Sequence, residues 1–139
     1  MEKPIIILNL KAYKEGMNSG LYSILNIVES VSSDFQNISF AIAPNPIFLL
    51  EAIRRREKTL IFAQHADPYP YGAYTGHIPL VLLKDIGIDG VIINHSEHKV
   101  SHETIERLLE LSRTHMIKSC SVKLMQILPC RLFSPHLLN

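Results

Sequence analysis

The sequence predicts an α/β fold built on parallel strands, a partial (β/α)8 barrel of roughly the first four and a half βα units. Three observations lead there. Short isoleucine-rich runs recur, each followed by a helix-like segment, and strand starts near residues 5, 38, 60, 90 and 116 give a repeat of roughly 28 residues, close to the ~31 of a full barrel unit. The first run, Ile5-Ile6-Ile7-Leu8, is continuous rather than alternating, as expected of a parallel strand buried on both faces. The turn after it, Asn9-Leu10-Lys11-Ala12-Tyr13, lacks the glycines with which a doubly wound sheet cradles a nucleotide, so the barrel is favoured over that alternative.

The elements follow in order. Asn18 or Ser19 caps a helix running to about Ser32, with Leu21, Ile24, Leu25 and Val28 on its apolar face. Ile38 to Ala43 reads as the second strand and stops at Pro44-Asn45-Pro46. Pro46 opens a second helix over Ile47 to Arg56. The basic run Arg54-Arg55-Arg56-Glu57-Lys58 is its solvated end, where cations complement the helix dipole. Leu60-Ile61-Phe62-Ala63 is the third strand, and a loop rich in tyrosine, proline and glycine runs from His65 to His77. Leu80 to Ile86 is a short helix closed by Gly87, and Gly90-Val91-Ile92-Ile93 is the fourth strand. Ser101 caps a further helix, with Glu103 and Glu106 toward its positive end and Ile105, Leu108, Leu109 and Leu111 facing inward. Met116-Ile117-Lys118 begins a fifth strand. No helical or strand period continues beyond it, so residues 1–118 are expected to form the barrel portion and 119–139 a divergent tail.

Composition narrows the function classes. With 47% hydrophobic and 19% charged residues the chain reads as an ordinary globular protein. A net charge of +1 leaves no electrostatic footprint for nucleic acid or an acidic membrane. No stretch approaches the ~18 apolar residues of a membrane span. The apolar run Ile5 to Leu8 is too short for a signal peptide, so a cytoplasmic location is expected. Cys120 and Cys130 are too few and too late to staple the fold and are expected to be free thiols.

The residues with chemical potential sit where a barrel puts its active site, at the C-terminal ends of strands. Asn9 and Lys11 follow the first strand, Gln64 and His65 the third, and Asn94, His95, Ser96 and Glu97 the fourth. Each has an ordinary structural reading as well: a surface lysine, an Asn-His pair bonding loop backbone, an acid in the first turn of a helix. Their co-occurrence on one rim points to a site. Three motifs then stand in a recognisable order: Asn9-Leu10-Lys11, Thr75-Gly76-His77 and Asn94-His95-Ser96-Glu97-His98. Over about Pro4 to Lys118 the chain resembles the triosephosphate isomerase family, in the form found in archaea.

The resemblance implies a TIM barrel and the interconversion of dihydroxyacetone phosphate and glyceraldehyde 3-phosphate, a step of glycolysis and gluconeogenesis. It implies His95 as the neutral imidazole that polarises the carbonyl, a role for which this enzyme is the type case. It implies Lys11 as the cation near the phosphate and the enediolate, and Asn9 as substrate ligand and orienter of Lys11. Glu97, with Ser96, would stand behind the lysine rather than act as base, and Thr75 and Gly76 would make the subunit contact of a homo-oligomer. No cofactor and no metal are implied, and the partner is a small phosphorylated triose. The family's glutamate base, its lid and its last phosphate loops have no counterpart past residue 118, so the chain is expected to be a truncated homologue, inactive alone. The alternative is a non-catalytic scaffold or subunit partner of a full-length isomerase. A third reading, zinc on His95, His98 and His102, is the weaker one, because no cysteine joins them and Ser101 reads as a helix cap.

Overall fold

A computed structural model describes residues 3–122 and 132–133, which fall into two compact units, one ending at Gln64 and one beginning at His65. Along the chain five strands alternate with helices, and within each unit successive strands of that series run parallel, the repeat expected of part of a (β/α)8 barrel.

In the first unit, β1 (Ile5–Asn9), β2 (Ser39–Ala43) and β3 (Leu60–Ala63) are parallel neighbours, with Ile5 opposite Ser39, Asn9 opposite Ala43 and Ala41 opposite Leu60. The crossovers are α1 (Ser19–Asp34) and α2 (Leu49–Arg55). Leu21 and Leu25 of α1 are buried with Ile24 and Val28 half-buried beside them, the i, i+3, i+4, i+7 stripe expected of this helix. Each fully buried leucine stabilises the fold by about 1.5–3 kcal/mol. Asn18 precedes the helix at φ 51 and makes no side-chain cap bond, so the expected cap is only positional. The second helix begins with a 3-10 turn, Pro46–Phe48, where Asn45 caps by accepting the Ile47 N–H at 3.2 Å.

Burial on both faces holds for Ala41-Ile42-Ala43 and for Ile61-Phe62-Ala63, but β1 departs from it. Ile6 is 52% and Leu8 45% exposed, while Ile5 and Ile7 are half-buried. Within this unit β1 is an edge strand laddered only to β2, so one of its faces lacks the flanking side chains that cover β2 and β3.

One carboxylate fastens the unit's outer layer. Glu29 of α1 accepts the N–H groups of Glu57, Lys58 and Thr59, at 2.9, 2.9 and 2.9 Å, and so ties the turn between α2 and β3 to the first helix. Partial burial works to raise the Glu29 pKa, but the N–H donors of Thr59, Glu57 and Lys58 outweigh it and hold the carboxyl below its ordinary value.

In the second unit, α3 (Leu80–Asp85) precedes β4 (Gly90–Ile93), and α4 (His102–Thr114) crosses over to β5 (Lys118–Ser121). β4 and β5 are parallel, Gly90 opposite Lys118 and Ile93 opposite Ser121, and β4 is buried throughout. β6 (Leu132–Phe133) returns antiparallel to β5 with Leu132 opposite Cys120. The expected tail thus contains the end of β5 and this two-residue strand, and its remaining residues from 123 lie outside the described ones. Cys120 is buried and disulfide-bonded, which overturns the expectation of a free thiol there; Cys130 lies outside the described residues. Among the described residues no helix is long and apolar enough to cross a membrane.

Ser101 caps α4 as its position predicts, accepting the Thr104 N–H at 3.2 Å. The two helices of this unit end in the same way. After α3, Gly87 at φ 86 lets Ile88 N–H reach the Leu83 carbonyl and its own N–H reach Lys84. After α4 the equivalent residue is Met116, at φ 56 and 72% exposed, with Ile117 N–H on Ser112 and Met116 N–H on Arg113. Met116 is therefore a helix terminator, and the fifth strand begins two residues later than the isoleucine pattern suggests.

Two outcomes follow from these contacts. Met116→Gly relieves a left-handed conformation unfavourable to side chains and should raise the unfolding free energy by about 0.5–1 kcal/mol; an unchanged urea midpoint would sink the strain account. Glu29→Gln should lower stability by about 1 kcal/mol near neutral pH, after discounting for exposure. Because the folded carboxyl titrates below its unfolded value of 4.5, that difference should persist above pH 4.5 and close as the pH falls through the folded value, in parallel denaturant titrations of both proteins.

Candidate active site

The end of β1 is organised by side-chain amides. Asn9 Oδ1 accepts the Lys11 N–H at 3.0 Å. Gln64, just past β3, donates from Nε2 to the Lys11 carbonyl at 3.0 Å and to the Ala43 carbonyl at 2.9 Å. Ala43 also receives the Leu10 N–H at 3.0 Å. Lys11 sits at φ 51, a left-handed conformation that costs a side-chain-bearing residue about 1 kcal/mol. Asn9 and Gln64 hold it there by its N–H and its carbonyl. The half-buried side chain leads Nζ to 5.9 Å from the Tyr13 ring centroid, at the outer reach of a cation–π contact. The following segment packs without slack: a Cβ on Gly20 would meet the Glu15 carbonyl oxygen at 2.1 Å, so only glycine fits.

The end of β4 uses the same device. Asn94 turns the chain at φ 60, donates from Nδ2 to the Val122 carbonyl at 3.0 Å and accepts the Val100 N–H on Oδ1 at 3.1 Å. This links the strand end to the end of β5 and to the approach to α4. His95 comes next, its side chain 23% exposed. The Glu97 N–H donates to His95 Nδ1 at 3.1 Å, and the His98 N–H to the His95 carbonyl at 2.8 Å. A nitrogen that accepts an N–H offers its lone pair, an arrangement that suits the tautomer with its proton on Nε2. The Glu97 carboxylate lies 3.5 Å from the same Nδ1 and is 58% exposed; Ser96 is exposed beside it.

The loop after β3 is braced from within. Asp67 accepts the Ile78 N–H at 2.7 Å, contacts His65 Nε2 at 3.1 Å and lies 3.3 Å from His77 Nδ1. His65 stacks on His98, and Tyr69 stacks on Tyr74 with His77 edge-on to Tyr69. Burial pushes the His65 imidazole below its ordinary pKa; its bond to Asp67 opposes this, and the neighbouring His98 and His77 add to it. Partial burial would raise the Asp67 carboxyl, but the Ile78 N–H and His65 hold it below the usual value. Thr75 and Gly76 are exposed, Gly76 at φ 83.

Asn9, Lys11 and Gln64 are therefore gathered in the first unit, and Asn94, His95, Ser96 and Glu97 in the second. Asp67 is the residue that sequence reasoning passed over. Its signal was an acid two residues after one histidine and ten before another, in a loop otherwise aromatic and turn-like. His102 is the first residue of α4 and His98 lies against His65, and among the described residues no group of three or more His, Cys, Asp or Glu side chains is placed to hold a metal ion. The tautomer of His95 is directly measurable. A long-range proton–nitrogen correlation spectrum should show Nδ1 as the unprotonated, imine-type nitrogen and Nε2 as the protonated one; the reverse pattern would remove the basis for its assignment as a donor from Nε2.

A triosephosphate isomerase family profile matches residues 4–124. Among curated proteins, the chain is 38% identical to the triosephosphate isomerase of Caldivirga maquilingensis over 113 residues, 81% of this chain and 49% of that protein. It is 30% identical to that of Saccharolobus solfataricus over 137 residues, covering 97% and 60%, and 34% identical to that of Cenarchaeum symbiosum over 121 residues, covering 86% and 53%. These relatives are archaeal, and the chain spans about half the length of those it matches.

Proposed function

The chain belongs to the triosephosphate isomerase family, and on that premise we propose that it carries the electrophilic and cationic part of a site that interconverts dihydroxyacetone phosphate and glyceraldehyde 3-phosphate. The observation that carries this reading is the Glu97 N–H on His95 Nδ1, which leaves the Nε2 proton to point at a substrate oxygen. Isomerisation breaks a C–H bond beside the carbonyl, moves the electron pair toward oxygen as an enediolate, and returns a proton to the neighbouring carbon. A neutral imidazole suits this chemistry because its N–H is nearer in acidity to the enediol than an imidazolium is; triosephosphate isomerase is the type case. Lys11 supplies positive charge for the phosphate and the developing oxyanion from a backbone fixed before substrate arrives, so little reorganisation is needed during reaction. Asn9 has the matching role of fixing Lys11 while standing beside the substrate. The chemistry is a proton shift and asks for no cofactor.

The proton-abstracting base is the part without a match. The family's glutamate has no counterpart in the sequence past residue 118, so in this reading the chain by itself polarises a triose phosphate without turning it over. A non-catalytic subunit role is the second reading, favoured by the exposed Thr75–Gly76 tip on a loop braced by Asp67 and the Tyr69–Tyr74 stack. Tyrosine-rich ordered loops suit interfaces.

Turnover by the purified chain, beside a Lys11→Ala, His95→Ala double variant prepared identically, tests the proposal. Equal background rates in both are expected, the variant controlling for host isomerase. A wild-type rate at least about a hundredfold above the variant, equivalent to about 2.7 kcal/mol of transition-state stabilisation, would mean that another carboxylate serves as base and that the chain is an enzyme on its own.

A further inference from the structure

The loop from His65 to Pro79 holds a charge arrangement that the isomerase reading leaves unused. Two imidazoles flank one carboxylate, and a third stacks on one of them. His65 Nε2 is 3.1 Å from Asp67 Oδ1, and His77 Nδ1 is 3.3 Å from Asp67 Oδ2. His98, from the turn that carries His95, lies face to face on His65, with centroids 3.9 Å apart and 15° between the planes. The same carboxylate holds the loop's backbone: Oδ2 accepts the Ile78 N–H at 2.7 Å, the Asp67 N–H donates to Ile78 at 2.8 Å, and Leu80 N–H reaches the Asp67 carbonyl at 3.1 Å. Among the described residues of this unit, charged groups nearby include Arg107 of α4, which donates to the Pro68 carbonyl at 3.4 Å, and the exposed Glu97 beside His95.

We propose that this cluster is an acid-released latch, in which the half-buried His65, stacked on His98, clasps the Thr75–Gly76 loop to the His95 turn and protonation of the cluster lets the loop go. The argument is one of charge count. Asp67 balances one imidazolium, while His65 and His77 both lie against it and His98 stacks on His65. A single cation in the His65–His98 stack is tolerable, since one ring can face a cation. Two cations at stacking distance repel each other, with His77 adding a third and Arg107 nearby offering no relief. Glu97 is exposed and therefore screened, and its carboxylate lies 3.5 Å from His95.

The direction of the pH effect follows from the burial of His65. Burial holds its folded pKa below the ordinary 6.5, so the unfolded or released imidazole takes up a proton first. Stabilisation from the latch is complete above 6.5 and is lost as the pH falls below it. The Asp67 carboxyl is itself held below its ordinary value by the Ile78 N–H and His65, so it stays the anionic partner of the cluster as the loss begins below 6.5. The latch concerns loop order and does not depend on the chain being an isomerase.

Amide hydrogen exchange at Ile78 and Leu80 tests it. In the wild-type chain their protection factors should fall by about tenfold between about pH 7.5 and about pH 5.5, after correction for intrinsic rates. His98→Phe keeps an aromatic ring on His65 but cannot become a second cation, and there the fall should shrink to less than about threefold. A wild type without the fall, or an equal fall in the variant, overturns the proposal. Should the variant not fold, the imidazole resonances of wild-type His65 decide instead: titration below 6.5 is required, and a value at or above it overturns the latch. Neither readout involves turnover, so failure here leaves the isomerase reading standing, and failure there leaves this one.

Discussion

A parallel strand that ends inside a protein leaves backbone N–H and carbonyl groups beyond the last ladder bond, and water does not reach them cheaply. In this chain the amide side chains of Asn9, Gln64 and Asn94 meet that demand, and the position of the candidate site follows from how they do it. Ala43, the last residue of β2, takes two donors on one carbonyl, from Leu10 and from Gln64. Gln64 has a second N–H to place, and it places it on Lys11. Asn94 spends one end of its amide on the close of β5 and the other on the approach to α4. A carboxylate could not do either job, because each needs a donor as well as the reach of a planar amide.

The proposed site would inherit its precision from these bonds. Lys11 is a long flexible side chain, but the backbone from which it springs is fixed at both its polar groups, so the volume its ammonium explores is limited at the root. His95 is fixed differently, through the ring itself. The N–H on Nδ1 comes from the residue two positions on, so the ring is oriented by the local turn itself. A turn of that shape requires the chain to leave β4 through a left-handed residue. Asparagine, which tolerates that conformation, stands there at position 94.

How much of this could be read in the sequence depends on which interactions are local. The strands and the inward stripes of α1 and α4 repeat with the period of their own element, so Ile61-Phe62-Ala63 and Leu21-Ile24-Leu25-Val28 announce themselves. Ser101 and Gly87 are legible for the same reason, each acting on the nearest turn. Exposure of Ile6 and Leu8 was not, because it depends on what flanks β1 rather than on β1. Met116 looks like the start of a strand by composition and is a helix terminator by backbone geometry, which composition does not encode. The motif residues could be placed at strand ends, and the resemblance supplied their roles. That Gln64 would bridge Lys11 and Ala43, residues 53 and 21 positions away, is written only in three dimensions. Asp67 was missed because its partners, Ile78 and two histidines, are brought to it by a loop without period.

Lys11 is the residue where the demands of backbone and of charge diverge. Its φ of 51 belongs to glycine, or failing that to asparagine, and Asn9 and Gln64 help to hold lysine there. Substitution by asparagine, a single-nucleotide step from either lysine codon, would ease the strain and erase the cation at once. A population of such chains sorted for thermal endurance alone would therefore shed its positive charge at this position early, each step looking like an improvement. Persistence of lysine at position 11 in chains recovered after relaxed propagation would in turn be a record of selection for what the ammonium group does.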